Sequence, residues 1–368
     1  MKKILFVCSY SSKYAGNFIY SLICLSKELI NKDCECYFVF PNEAKSRTWI
    51  SCFNYIKDNL FFSNFSVNDK KIIENIDTII NNYKIDILHF HFYDELWINF
   101  FSLKHKKLKI FVHLHSDFSK GHISKISFLK KFIRYNFLSF NVRYFGVSEY
   151  LCELSPKHIS FVPNAIAPGR DDPSFLLKSK KFKNIIGIND AEFLCEIYGW
   201  APDVKGVDLA VEAVKLANEE SNNNIKLMII CGEKFNKNRM KEYIKRNTSC
   251  SGDEPFLILL DPIGEVFIYH HAADILLSPS RSEAFSYVVL EMLTLGKNCV
   301  VSDVQGLKWA ACYEVVKSFE SENVKDFSKK ILASLDNIAP NNLTALKVKK
   351  DYSIDSWVKR IISLYEII

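Results

Sequence analysis

No stretch of this 368-residue chain reaches the eighteen or so consecutive apolar residues that a membrane-spanning helix needs. Cysteine is present, eleven times, but never as Cys-x-x-Cys or at another paired metal-ligand spacing. Met1-Lys2-Lys3 before Ile4 to Cys8 starts like a secretory signal, yet the apolar part is too short and polar Ser9 to Lys13 follow at once. The cysteines are therefore expected to be free thiols in a reducing cytosol. No Gly-x-Gly-x-x-Gly follows the first apolar run, which argues against a dinucleotide redox cofactor. No recognised nucleic-acid motif occurs either.

What the chain does have is the composition of a globular protein. Hydrophobic residues make up 48% and charged residues 24%, in a length suited to two domains. The net charge of +6 is unevenly placed. Residues 1–165 hold 22 Lys and Arg against 14 Asp and Glu, while the remainder holds 26 against 28. The first half is therefore the half expected to face something anionic.

Apolar runs and helical spacings alternate along the chain. Ile4 to Cys8 reads as a buried strand, Asn17 to Ile30 as a helix with Phe18, Leu22, Leu25 and Leu29 on one face, and Tyr37 to Phe40 as the next strand. Helical patterns cover Arg47 to Lys57 and Lys70 to Tyr83. Strands follow at Asp86 to Phe90, Lys109 to His113 and Val142 to Val147. A second series runs through Phe193 to Tyr198, Ile225 to Cys231 and Pro255 to Leu260. Between the two series, Pro168 to Pro173 has the prolines, glycine and charge of a linker.

The most informative stretch is Ser278-Pro279-Ser280-Arg281-Ser282-Glu283-Ala284-Phe285-Ser286-Tyr287-Val288-Val289-Leu290-Glu291. An apolar run, Ala273 to Leu277, precedes it. Met292 to Gly296 and a second apolar run, Cys299 to Val301, follow. The grammar is strand, polar loop, short helix, glycine stop, strand. The loop lies at the carboxyl end of its strand, where open α/β sheets hold ligands. A helix starting near Phe285 points unpaired N–H groups and its dipole at an anion such as a diphosphate. Glu283 before the helix and Glu291 on it suit sugar hydroxyls, so the ligand expected is a nucleotide sugar. Lys205, just ahead of a helical stretch, suits the diphosphate as a point charge.

Glu283-Ala284-Phe285-Ser286, then four residues and Glu291, resembles the signature of family-four retaining glycosyltransferases of the GT-B fold. The resemblance is strongest from 199 to 306 and weakest from 41 to 84. It implies an α/β architecture of two facing Rossmann-like, doubly wound domains with a cleft between them. Residues 1–168 would bind the acceptor, 169–352 the nucleotide sugar, and helix 353–368 would cross back to the first domain. In the family the first Glu contacts the donor sugar and the second grips the ribose, which assigns Glu283 and Glu291. His115, at the end of a strand, resembles the family histidine that faces the donor sugar. Gly16, Phe285, Ser286 and Tyr287 complete the expected donor contacts. Phe161 to Ile166 is similar to the family's Pro-Asn-Gly-Ile turn, with Ala165 in the glycine place. Trp200 stands where many relatives have Arg.

The expected activity is transfer of a sugar from a nucleotide-diphosphate sugar, UDP-sugar favoured, to a glycan or lipid-linked acceptor in surface polysaccharide synthesis. No cofactor and no nucleic-acid partner is expected. A catalytically silent partner subunit and a nucleotide-sugar epimerase are the alternatives. Five histidines fall from His89 to His115, but no Cys or carboxylate completes a metal set, so no metal is expected. Lys130, Lys131 and Arg134 alternate with large apolar residues between Lys125 and Phe140. This is either a helix packed on the sheet with a wet basic face, or a basic amphipathic helix on an anionic membrane at the inner face of the cell membrane.

Overall fold

The near-continuous apolar runs form parallel strands, as expected for strands covered on both faces. The structure, a computed structural model, describes residues 1–65, 71–92, 95–115, 141–153, 159–167, 169, 172–221 and 223–366. In the first sheet the strands are β1 (Lys2–Cys8), β2 (Cys34–Pro41), β3 (Leu60–Ser63), β4 (Ile87–His91), β5 (Lys109–Leu114), β6 (Val142–Gly146) and β7 (Ile159–Phe161). Their order is β3-β2-β1-β4-β5-β6-β7, and every neighbouring pair is parallel. In the second they are β8 (Glu192–Tyr198), β9 (Asn224–Ile230), β10 (Leu257–Leu260), β11 (Ile275–Ser278), β12 (Asn298–Ser302) and β13 (Val316–Phe319). These are also parallel, in the order β10-β9-β8-β11-β12-β13.

Both sheets are doubly wound. In each, the chain moves outward from the first strand, returns to its other side and winds the opposite way. The reversal lies between β1 and β4 in the first sheet and between β8 and β11 in the second. The carboxyl ends of those strand pairs are where a ligand finds a crevice in such a sheet.

Two compact units result, Met1–Ala167 with Ile354–Ile368, and Pro168–Ser353. The first is filled by Phe6, Phe38, Phe40 and Phe53 with helix Gly16–Asn31, which buries Phe18, Leu22, Leu25 and Leu29. Helix Ile354–Tyr365 completes this core with Trp357, Ile361 and Tyr365. The second core joins Ile197, Ile229 and Leu277 to Val207, Val211 and Val214 of helix Val207–Glu220 and to Phe327 and Ile331. Each such side chain stabilises its unit by roughly 1.5–3 kcal/mol through burial.

The helical pattern read over 47–57 is a 3₁₀ segment, Thr48–Asn59, broken at Ile56 (φ −129°, ψ 32°). It buries Trp49, Phe53 and Ile56, whose four- and three-residue spacing suits either kind of helix. Ala165 lies outside the left-handed region, so its backbone bears no strain. No helix among the described residues is long and apolar enough to cross a membrane.

Candidate functional site

The segment between β11 and the helix Tyr287–Thr294 is fixed by two close approaches. Gly206, in the left-handed region at φ +65°, lies so near Pro279 that a Cβ would sit 2.2 Å from the Pro279 carbonyl oxygen. On the other side a Cβ on Gly306 would fall 1.8 Å from the Glu283 carbonyl oxygen. Neither approach tolerates a side chain without moving backbone. Arg281 adds a tether. Its N–H donates to the Val204 carbonyl (2.8 Å), and its guanidinium donates to both carboxylate oxygens of Asp208 (2.9 and 2.7 Å) and of Glu322 (2.7 and 3.1 Å). Ser302 Oγ donates to the Ser280 carbonyl (2.6 Å), tying the loop to β12.

The helix begins one to two residues later than the sequence reading placed it. Ser286 is its N-cap, extended at φ −93° and ψ 112°, and accepts from the Val289 N–H. The first N–H groups of the helix have no acceptor within the helix, which leaves a positive end facing the loop. Phe285 is not a free contact surface. Its ring is 6% exposed and stacks on Trp309 with centroids 4.4 Å apart and planes 5° off parallel. Tyr287 is half-buried beside it.

Lys205 and Glu283, expected to serve different parts of the ligand, are partners of one another. Nζ lies 2.5 Å from a Glu283 carboxylate oxygen. Nζ also lies 5.3 Å from the centroid of Trp200, which is 60% exposed. Trp200 thus presses an aromatic face on the lysine, a favourable cation–π contact. Tyr198, Trp200, Lys205, Ser278, Ser280 and Ser286 surround a small cavity of about 30 Å³. The buried Tyr198 hydroxyl has no hydrogen-bond partner. Burial first, then the nearby Glu196 and Glu291 carboxylates, push its pKa up.

Glu291 is buried rather than facing open solvent, 5% exposed. One of its oxygens meets His270 Nε2 at 3.2 Å, and His270 Nδ1 meets Glu196 at 2.5 Å. His270 and Glu196 are fully buried. An imidazole between two carboxylates can donate to both only when doubly protonated. Burial opposes that charge, but Glu196 and then Glu291 overcome it, and the His270 pKa rises from 6.5 to about 9. The row joins β8, helix Phe267–Ala272 and helix Tyr287–Thr294. Sequence reading missed it because its members are far apart in the chain and each alone looks like an ordinary polar residue.

In the first unit, His115 and Gly16 lie at the carboxyl edge of the sheet. Gly16 opens helix Gly16–Asn31 at φ +56°. Two residues later, Phe18 meets the His115 ring edge-on at 5.5 Å, and Phe92 stacks on it at 4.1 Å. His115 is half-buried, and its Nε2 lies 3.0 Å from His91 Nδ1. Burial, then His113 and His91, hold its pKa well below 6.5, so the ring is neutral. Register aligns Cys8, His91 and His113 across β1, β4 and β5. His89 is two residues from His91 on the same face. No metal was expected from the sequence because no Cys or carboxylate completes a set with these histidines. His89, His91 and His113 nevertheless come together, each with one ring nitrogen unpaired, and an unpaired buried polar atom costs about 1–3 kcal/mol. Lys130, Lys131 and Arg134 lie outside the described residues.

Residues 178–365, just over half of the chain, match the model of the family described as glycosyl transferases group 1. Among solved structures the chain is similar to a glycosyltransferase from Rickettsia africae ESF-5, at 15% identity and a TM-score of 0.80, covering 100% of this chain and 98% of that one. It is also similar to HepE from Anabaena in complex with UDP, at 12% identity and a TM-score of 0.76 over 100% of both chains. The Anabaena protein has also been solved with UDP-glucose. A third likeness is to WaaG, a glycosyltransferase involved in lipopolysaccharide biosynthesis, at 14% identity and a TM-score of 0.66 over 98% of this chain and 99% of that one. No curated protein matches the chain by sequence.

Proposed function

The chain belongs to the glycosyl transferases group 1 family and has the GT-B fold, and on that premise we propose that it is a retaining hexosyltransferase. Its donor is a nucleotide-diphosphate sugar, a UDP-sugar by preference. The observation that carries this reading is the loop after β11. Two glycine contacts and Arg281 hold it rigid, and it presents the Lys205–Glu283 pair next to the Ser286-capped helix. The UDP and UDP-glucose complexes of the Anabaena protein support the choice of base.

In this reading the donor diphosphate takes over Lys205 and sits against the positive N-terminal end of the helix. These stabilise the negative charge that grows on the leaving diphosphate, so no metal is required there. Glu283, released from the lysine, accepts hydrogen bonds from hydroxyls of the sugar. Glu291 accepts from the ribose diol and is held in place by His270. His115, neutral, donates to a donor-sugar hydroxyl without adding charge beside the reacting carbon. The acceptor is a glycan or a lipid-linked saccharide of a surface polysaccharide, bound by the basic residues of the 1–168 domain at the inner face of the cell membrane. Lys130, Lys131 and Arg134 make the membrane contact. The part played by WaaG in lipopolysaccharide synthesis is consistent with such an acceptor.

A second reading has an observation of its own. Trp200 brings no charge where relatives have Arg, and Glu283 already neutralises Lys205. A silent partner subunit of the same fold would look like this. Incubation with labelled UDP-, GDP- and ADP-sugars separates the readings. Hydrolysis or transfer is the expected outcome. An isomerised sugar would indicate an epimerase, and no turnover with any donor would favour the silent subunit.

A further inference from the structure

The carboxyl ends of β4 and β5 gather imidazoles that the proposed transfer does not use. His89 and His91 share one face of β4, and His113 of β5 is the register partner of His91. All three are buried. One ring nitrogen of each lies within 4.8 Å of one ring nitrogen of the other two. We propose that His89, His91 and His113 form a binding site for a borderline divalent cation of the zinc class.

The hydrogen bonding around the rings is that of metal ligands. His89 Nδ1 lies 2.5 Å from the Tyr365 hydroxyl, His91 Nδ1 lies 3.0 Å from His115 Nε2, and His113 Nε2 lies 3.4 Å from the Val162 carbonyl. A histidine that binds metal through one nitrogen almost always has the other held by such a partner. The opposite nitrogens, Nε2 of His89, Nε2 of His91 and Nδ1 of His113, have no hydrogen-bond partner at all. For His113 the tautomer follows. A carbonyl only accepts, so Nε2 carries the proton and Nδ1 presents a bare lone pair.

Position and ligand type agree. The cluster lies beside the point where the first sheet reverses its winding, at the ends of β1 and β4. Imidazole without carboxylate selects zinc, copper or nickel over magnesium or calcium. Zinc binds imidazole nitrogen at about 2.0–2.1 Å, which places tetrahedral neighbours about 3.3 Å apart. The three rings therefore close by up to roughly 1.5 Å onto the ion. Three neutral ligands leave the charge of the ion uncompensated. A water in the fourth position, its pKa lowered to about 7 by the metal, gives up a proton to solvent and as hydroxide offsets one of the two charges. Binding also reaches His115. With a metal on Nε2, His91 keeps its proton on Nδ1, so His115 accepts at Nε2 and carries its own proton on Nδ1.

The test titrates the full-length, chelator-treated protein with Co(II), and then with Zn(II) in competition. Stoichiometric uptake with the intense visible bands of tetrahedral cobalt, reversed by Zn(II), is expected, together with a rise in melting temperature on adding Zn(II). His89→Phe, which keeps a ring in the core, abolishes the bands. Tyr365→Phe leaves all three ligands but removes the phenol behind His89, and weakens Co(II) affinity by roughly 10–100-fold. Wild-type protein that shows neither cobalt bands nor a zinc-dependent melting shift overturns the proposal, whether or not a variant folds. So does a sulfur-to-cobalt charge-transfer band, or an unchanged spectrum in His89→Phe. The first would assign the metal to one of the eleven cysteines, and the second would place it away from His89.

Discussion

Replacing His270 with Asn removes the cation that stands between two buried carboxylates. Its folded pKa, about 9, is above its ordinary 6.5. The stabilisation it provides is therefore complete below pH 6.5 and is lost as pH rises through 9. Other groups bound the useful window. Burial lowers the folded pKa of His89, His91, His113 and His115, so each returns about 0.4 kcal/mol of stability as pH rises above their unfolded 6.5. Burial lowers Lys297 from 10.5 to about 8, so its contribution rises only above pH 8. Buried thiols such as Cys8, Cys195 and Cys299 begin to matter near pH 9. Between pH 6.5 and 8 these groups oppose His270, but they titrate alike with and without it and so drop out of the difference between wild type and variant. At about 1.4 kcal/mol per pH unit, the stability advantage of wild type over His270→Asn should shrink by about 2 kcal/mol across that window. His270→Asn should be weaker than wild type by about 3–5 kcal/mol at pH 6.5, since two buried carboxylates lose their partner, and the gap should be about 2 kcal/mol narrower at pH 8. Urea unfolding followed by circular dichroism, read on the transition that the mutation moves, gives both numbers. An equal stability gap between wild type and variant at pH 6.5 and at pH 8 would refute the charged-imidazole reasoning.

Three further outcomes are expected. Glu291→Ala should weaken nucleotide binding by about 1.5–3 kcal/mol for a lost charged hydrogen bond, and unchanged affinity by isothermal titration in a folded variant would remove Glu291 from the ribose. EDTA should leave donor hydrolysis intact, because Lys205 and the helix end serve the diphosphate; abolition with rescue by one divalent ion in folded protein would show a metal in the donor chemistry. Changing Lys130, Lys131 and Arg134 together to Gln should release the protein from anionic vesicles at low salt, each cation contributing about 1 kcal/mol, while donor hydrolysis persists; equal flotation of wild type and variant would end the membrane role.

The strands were legible because parallel strands buried on both faces leave unbroken apolar runs such as Ile4–Cys8 and Ile275–Leu277. Short edge strand β3 and helix Lys237–Asn247 were not, the first being only four residues and the second strongly charged. The loop from Ser278 to Glu291 was readable as a site because strand, loop and capped helix are contiguous. Side-chain partnerships were not. Lys205 and Glu283 lie 78 residues apart, and His270 sits 74 residues from Glu196. Nor could the sequence show that Phe285 would be taken up by Trp309 rather than by a ligand. Such pairings depend on strand order and helix placement, which spacing along the chain does not encode.

Helix Ile354–Tyr365 carries a consequence for synthesis. Tyr365 fills the centre of a core whose other walls are made within the first 167 residues, and its hydroxyl meets His89. Everything from Pro168 to Ser353 is translated in between. The first-made unit must therefore wait for the end of translation with Phe111, whose ring meets Tyr365, uncovered. The last-begun core, which needs nothing from residues 354 onward, can close before it. Order of completion is thus the reverse of order of translation. A released chain ending at residue 353 should hold a native second unit while its first unit still recruits chaperones.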